Sequence, residues 1–442
     1  MAGESQSQSK RALGLALAAA LLGWMFDGLE QGLFPLVGRP ALIELVGESA
    51  GPNFKYWFGA IMALYLAGAA CGGLLFGWLG DRIGRVKAMV LSIATYAIFS
   101  GLCGFSTEAW HLAVLRTLSS LGMGGEWALG VALVMEIWPA KYRPMLAGVI
   151  GAAANVGILL VGLMGLGLSQ VIDDLGGVLR SVGMPQSWVD PLLANSGWRL
   201  ILFLGATPAV LAFFIQIFVP ESEKWKHAAA TTPKNKVSDI FKGGLARMTV
   251  LGALLGAVAL LGTWGSVMWI PTWANKMAQA PDAGRWATTA TSLTQIALSC
   301  GAIIGCLLSP LFAQWTSRRV GYFTLCLLSL VVCQCIFRLP MELGWAFLAW
   351  TFAAGWVTAS FYGWMPLYLP ELFPTRVRAT GQGFAFNSGR ILSAGGVLGS
   401  GALLAAFDEN YAAAGAITCL VYIVGMFVIW FCPETKGKPL PE

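Results

Sequence analysis

A chain of 442 residues with 57% apolar and 11% charged side chains does not read as a water-soluble protein, because soluble domains carry about 25% charged residues. Its net charge of +6 comes from Lys and Arg in short segments between long apolar runs, so it reports topology and not a nucleic-acid surface. The nine cysteines and two histidines show no CxxC or Cys/His spacing, so no disulfide framework, metal or cofactor is expected.

A hydrocarbon core of ~30 Å is crossed by ~20 helical residues rising ~1.5 Å each. Runs of that kind stand at about residues 12–36, 54–79, 88–106, 110–136, 144–169, 198–219, 248–274, 289–312, 320–338, 342–366, 380–405 and 411–432. They predict an all-α membrane protein with twelve transmembrane helices. The first run follows a short polar tail, Met1 to Lys10, and carries acids, so it reads as a retained span and not a cleaved leader. With the N-terminus in the cytoplasm, nineteen of the 28 Lys and Arg fall in cytoplasmic segments, seven fall outside, and Arg116 and Arg390 lie within spans. That bias predicts both termini in the cytoplasm.

Charged groups inside a span are costly and are functional candidates by default. In span one Asp27 and Glu30 are three residues apart and share a helix face. Two acids this close in a low dielectric do not both ionise cheaply, which suits one of them to carry a proton; the alternative is that both pair with bases near the outer interface, for example Arg116. Gln31 follows as a polar candidate. Between spans two and three comes Gly77-Trp-Leu-Gly80-Asp81-Arg82-Ile-Gly84-Arg85-Val-Lys87, a tight turn with one acid and several bases. Asp81 there can cap a helix start and pair with a base of another part of the chain.

Span four reads Gly122-Met-Gly124-Gly125-Glu126-Trp127. Its glycines allow close helix packing, and Glu126 falls near the midplane, ~15 Å from the cytoplasmic face. It is either a second proton site or a structural partner of a base or a backbone group. Arg116, nearer the outer side, is a substrate-binding candidate or an interfacial ion-paired arginine. Asn155 is an uncharged candidate in span five. The polar stretch Gln170 to Gly197 reads as a long outer loop, and the basic stretch Glu221 to Arg247 lies near the middle of the chain. The expected division is an N-terminal six-helix bundle at 1–219, a linker at 220–247 and a C-terminal six-helix bundle at 248–442.

In the second part, Trp264, Gln295, Tyr362 and Trp364 are candidates to wall an organic ligand, although tryptophans also gather at membrane interfaces. Span eleven carries Asn387 and, three residues on, Arg390, ~16 Å deep. Its guanidinium fork fits a carboxylate, which makes Arg390 a substrate-anion anchor or the structural partner of Glu126 or Asp27.

Two loop patterns recur. Glu136-Ile-Trp-Pro-Ala-Lys-Tyr-Arg143 returns as Glu371-Leu-Phe-Pro-Thr-Arg376-Val-Arg378, an offset of 235 residues. Pro220-Glu221-Ser-Glu returns as Pro433-Glu434-Thr-Lys, an offset of 213. The halves are therefore parallel repeats of six spans, the arrangement expected for alternating access around a midplane site.

The segment Gly77–Lys87 closely resembles the hallmark loop of the major facilitator superfamily, and the resemblance covers the whole chain. Its second-half copy, Thr316-Ser-Arg-Arg-Val-Gly321, keeps bases and a glycine but lacks the acid. The recurring loops are similar to those of the sugar-porter branch and its bacterial organic-acid relatives. Spans one and four (Trp24-Met-Phe-Asp27-Gly28 and Gly122–Trp127) resemble proton-coupled carboxylate, sialate and aromatic-acid symporters. The paired-glutamine segment of sugar porters is absent from span seven.

The resemblance implies two pseudo-symmetric bundles around a cavity lined by spans one, four, seven and ten. It also implies gating ion pairs among Asp81, Arg82, Arg85, Glu136, Arg143, Glu221, Glu371, Arg376, Arg378 and Glu434. The expected activity is proton-coupled symport of a small organic anion, by a monomer in a bacterial inner membrane. A sugar or polyol porter, or an exporter of amphiphiles, is the alternative on the same fold. No HExxH, Ser/His/Asp set or nucleotide loop points to an enzyme.

Overall fold

The computed structural model describes residues 10–47, 51–231, 236–279, 286–407 and 410–442; Lys234 and Arg285, used in the charge count, lie outside the described residues. Among the described residues there are helices and turns and no strand. The first bundle contains α1 (Lys10–Val46), α2 (Gly51–Ile83), α3 (Arg85–Cys103), α4 (Ala109–Ile137) and α5 (Arg143–Ser181). Its sixth crossing is built from α6 (Gln186–Leu204) and α7 (Pro208–Phe218). A short helix, α8 (Glu223–Thr231), and a 3-10 turn at Val237–Phe241 form the linker.

The second bundle opens with α9 (Gly243–Trp264) and α10 (Ile270–Met277), a single crossing interrupted at Gly265–Trp269. It continues through α11 (Trp286–Trp315), α12 (Arg318–Arg338), α13 (Trp345–Tyr368) and α14 (Arg378–Ala406). The last crossing joins α15 (Tyr411–Thr418) to α16 (Val421–Val428). This is the twelve-helix, two-bundle architecture expected from the sequence.

Among the described residues, nine helices are long and apolar enough to cross a membrane. The other three crossings are α6–α7, α13 and α14. The first breaks at Gly205–Thr207, α13 is rich in Trp and Tyr, and α14 carries Arg390 and the amides of Gln382 and Asn387.

One expectation needs correction. Gln170–Gly197 is not a long loop: α5 runs on to Ser181 and α6 begins at Gln186. Gly183 takes φ 87°, and the Met184 N–H reaches back to the Leu179 carbonyl at 3.1 Å. This αL glycine closure ends a helix sharply, so a few residues suffice to reverse the chain.

The bundles meet along two seams, α2 and α4 against α14, and α5 against α11 and α13. In the second seam the backbones approach closely: a Cβ built at Gly148 would stand 2.9 Å from the Cys306 carbonyl oxygen. In the first seam the described polar contacts cluster toward the side that carries the linker.

Candidate functional site

Between the bundles lies a cavity of about 70 Å³. It is walled by Trp24 and Gln31 of α1, Asn155 of α5, Thr263, Trp264 and Met268 of the broken seventh crossing, Gln295 and Ser299 of α11, Tyr362 of α13, and Phe386 and Arg390 of α14. That volume takes several waters at ~10–15 Å³ each, so an organic ligand requires the walls to part. Among the described residues, Arg390 is the only charged side chain in the wall.

The expected lining by spans one, four, seven and ten is corrected on one point. The α4 helix supplies no wall residue; spans five, eight and eleven do. Trp127 of α4 stacks on Phe386 at 4.2 Å between ring centroids, and Trp24 meets both rings at 6.3–6.4 Å. These rings stand between α4 and the cavity.

Of the residues expected at a substrate site, Gln31, Asn155, Trp264, Gln295, Tyr362 and Arg390 line the cavity. Trp364 does not. It is fully buried in the second bundle, with ring centroids 4.7 Å from Tyr322 and 4.6 Å from Tyr368. Arg116 does not either. It pairs with Glu30 inside the first bundle, where Ser100 donates to Glu30 at 2.8 Å and Ser119 at 3.1 Å. The guanidinium also lies 4.7 Å from the Tyr65 ring centroid. Glu30 thus has every oxygen partner it needs, and the pairing foreseen as the alternative is present for Glu30 and not for Asp27. Asn387 is buried beside the cavity and outside its wall.

Asp27 is fully buried behind Gln31, which donates to its Oδ2 at 3.3 Å; Oδ1 has no partner. Arg390, from the other bundle, lies within electrostatic reach without forming an ion pair. Arg390 donates to Asn387 at 2.8 Å and sits 5.4 Å over the Phe386 ring. Glu126 is buried against α1, where Gly23 leaves it room, and neither of its oxygens has a partner. The neutral acid is the form such surroundings tolerate.

On the linker side the candidate gating groups separate into three kinds. Asp81, Arg85, Glu136 and Arg378 form a latch between the bundles. Asp81 accepts from the Ala379 N–H at 3.1 Å and the Thr380 N–H at 2.7 Å, at the first turn of α14. That places an anion at a helix N-terminus, where backbone donors are free. Arg85 holds Asp81 and donates to Glu136 and to the Thr375 carbonyl, each at 2.9 Å; Arg378 reaches Glu136 at 3.0 Å.

Three further groups bind within their own half. Glu221 accepts from the Val86 N–H at 3.1 Å, beneath Gly84 at φ 112°, where a side chain would collide with it. Glu434 accepts from the N–H groups of Arg318 and Arg319, and Glu371 takes both branches of Arg318 at 2.9 and 3.0 Å. Arg82 and Arg376 are exposed, Arg143 donates to the Met135 carbonyl at 3.2 Å, and among the described residues none of these three forms an ion pair.

Several groups had no signal strong enough in the sequence. Phe386 stands four residues before Arg390 and could have been found by helical spacing. Thr380 and Gln382 gain partners through contacts distant in sequence, and so does Arg318 in reaching Glu371 and Glu434, beside its local bonds to Ala313 and Gln314.

The family model for sugar (and other) transporters matches residues 41–239 and 320–442. The chain belongs to that family. It is a major facilitator transporter of the sugar-porter-like branch, a multi-pass integral membrane protein and not an enzyme. A Haemophilus influenzae protein described as a metabolite transport protein is 28% identical over 437 residues, covering 96% of this transporter and 97% of the relative. The cis,cis-muconate transport protein of Acinetobacter baylyi is 26% identical, covering 85% of this transporter and 83% of that protein. Among solved structures, the proton:xylose symporter XylE bound to 6-bromo-6-deoxy-D-glucose superimposes with a TM-score of 0.72, at 18% identity and 97% coverage of both chains. That likeness concerns the fold.

Proposed function

We propose that this transporter carries a small organic anion together with a proton, with Arg390 binding the anion and Asp27 carrying the proton. The observation that carries the reading is one cation in the cavity wall within electrostatic reach of an incompletely satisfied acid from the opposite bundle. The anion named for the Acinetobacter relative supports it. The termini are cytoplasmic, the membrane is a bacterial inner membrane, the working unit is a monomer, and the halves are 1–219 and 248–442 with 220–247 as linker.

Charge balance gives the coupling. An uncompensated charge at the bilayer centre is costly, so the occluded site favours a net charge of zero. When the cavity is empty, ionised Asp27 balances Arg390. When it is loaded, the substrate carboxylate balances Arg390 and Asp27 holds a proton. Glu126 stays neutral in both forms, and Glu30 stays paired with Arg116. One proton then moves with each monocarboxylate, and transport is electroneutral.

The test is uptake into proteoliposomes of radiolabelled benzoate, cis,cis-muconate, nicotinate, N-acetylneuraminate and xylose, with and without an inward proton gradient. Gradient-driven accumulation of an acid, lost in Asp27→Asn while counterflow exchange survives, is the expected result. Acid uptake indifferent to the gradient leaves a facilitator. The amides of Gln31, Asn155 and Gln295 in the wall favour a second reading, a polyhydroxylated neutral ligand. Uptake of xylose and of no acid would establish that reading and leave Arg390 a structural residue.

A further inference from the structure

The glycine-rich segment of α4 and its Trp127 stand out in the sequence, yet α4 does not touch the cavity. It touches Arg390 indirectly, by two routes. Asn387 is 1% exposed and sits in a socket made by the first bundle. Its Nδ2 donates to the Gly124 carbonyl of α4 at 3.2 Å and to the Gly383 carbonyl at 2.9 Å. Its Oδ1 accepts from Arg390 at 2.8 Å. Gly73 of α2 forms the floor of the socket, and a Cβ there would overlap the amide. The second route is aromatic: Arg390 lies over Phe386, and Phe386 stacks on Trp127 with an interplanar angle of 18°.

An amide is planar, so its donor and acceptor ends turn together. While α4 and α14 are in contact, the bond to Gly124 fixes the amide, and the amide fixes the guanidinium. When that seam parts, Nδ2 keeps only the Gly383 carbonyl of its own helix, and Phe386 loses Trp127. The amide is then held at one point in place of two and the ring is unstacked, so both constraints on the Arg390 fork loosen together.

Resting on the reading of Arg390 as anion anchor, we propose that Asn387 is a positioning residue, which holds the Arg390 guanidinium more firmly in its anion-binding pose while the α4–α14 seam is closed than when it is open. Affinity for the anion then differs between the two states of the cycle, and it is α4 that sets the difference without touching the ligand.

The experiment compares KM and kcat of proton-driven uptake of the acid panel above for wild type, Asn387→Ala, Gln382→Ala, Arg390→Lys and the double variant Asn387→Ala/Arg390→Lys. Gln382 is the control, since it donates to the Ala128 carbonyl of α4 at 2.6 Å in the same seam and does not bond Arg390. Loss of a hydrogen bond to a charged group predicts that Asn387→Ala raises KM about tenfold, with kcat little changed. Gln382→Ala alters kcat and leaves KM as in wild type. Because Asn387 acts through Arg390, its removal costs less than about twofold in the Arg390→Lys background.

Trp127→Phe, which preserves a stacking ring, keeps the wild-type KM, and Trp127→Leu raises it. Equal KM changes in Asn387→Ala and Gln382→Ala, or full additivity with Arg390→Lys, would overturn the positioning role while leaving the anion reading intact. Failure of wild type to take up any acid would overturn both.

Discussion

In the first half, Arg85 holds Asp81 and Glu136, and both acids go on to bind the opposite half. In the second half, Arg318 holds Gln314 at 3.3 Å and Glu371 at 2.9 Å, and among the described residues neither group crosses. The correspondence is close: Arg85 donates to the Gly80 carbonyl and Arg318 to the Ala313 carbonyl. Gln314 precedes Arg318 by four residues, as Asp81 precedes Arg85. Two changes disable the second copy as a latch. Glutamine lacks the charge that a helix N-terminus attracts. Pro144 occupies the place that Ala379 has in the other half, and proline has no N–H to offer. One seam therefore closes on charge-assisted hydrogen bonds and the other on backbone packing.

The strongest challenge to this asymmetry is Asp81→Asn. Removing one partner of a buried ion pair costs roughly 3–5 kcal/mol, and here the loss falls on the closed linker side. Spin labels on the linker-side ends of α2 and α14 are expected to report a longer mean distance. Arg318→Gln is expected to lower the melting temperature in detergent and to leave that distance unchanged. Equal shifts in the two variants would mean that the copies play the same part.

A gain of function sharpens the point. Gln314→Asp with Pro144→Ala restores both an acid and a donor, and charge-assisted bonds contribute about 1.5–3 kcal/mol each. Turnover in the uptake assay should fall several-fold as the closed form becomes harder to leave, whereas Gln314→Asp alone should do less.

The smallest effect concerns the helix-capping acids. Burial holds the Glu221 carboxyl above its ordinary value of 4.5, despite N–H donors from Ser222 and Val86. Its favourable contribution is the neutral form's, present below pH 4.5 and lost as pH rises through the raised value. Burial acts on Glu434 in the same direction, but the N–H groups of Lys436, Arg319 and Arg318 outweigh it and hold the carboxyl below 4.5. Its contribution is present above pH 4.5 and lost as pH falls through the lowered value. Thermal unfolding at neutral pH is expected to show a loss for Glu434→Gln and none for Glu221→Gln, with the Glu434 effect fading below pH 4.5.

Most of the fold was legible because lipid imposes length and polarity on each crossing. The parallel repeat was legible because loop residues must serve the same local caps in each half. The ends were less so: α5 continues well past the apolar run, since a helix already formed extends through polar residues until a glycine closure stops it.

Within the site, the charged residues announced themselves by cost, but their partners did not. Whether Arg116 or Arg390 balances a given acid depends on helix rotation, and a helix with apolar residues on all sides gives little rotational information. That is why Trp364 and Tyr362, two residues apart, were equally plausible and only Tyr362 lines the cavity. Asn387 was legible as polar and buried, but its socket of Gly73 and Gly124 belongs to helices more than 250 residues earlier in the chain.

A continuous helix links the two ends of this machinery. From Thr380, where Asp81 binds, to Arg390 the α14 helix rises ~15 Å without interruption. A small molecule wedged between α2 and α14 at the linker side would displace that helix and loosen the grip on the transported anion while occupying none of its space. By thermodynamic reciprocity, the anion would expel such a wedge by the same factor. An inhibitor of that kind would look competitive in a simple assay, and it would be selective for chains in which only one of the two seams is latched.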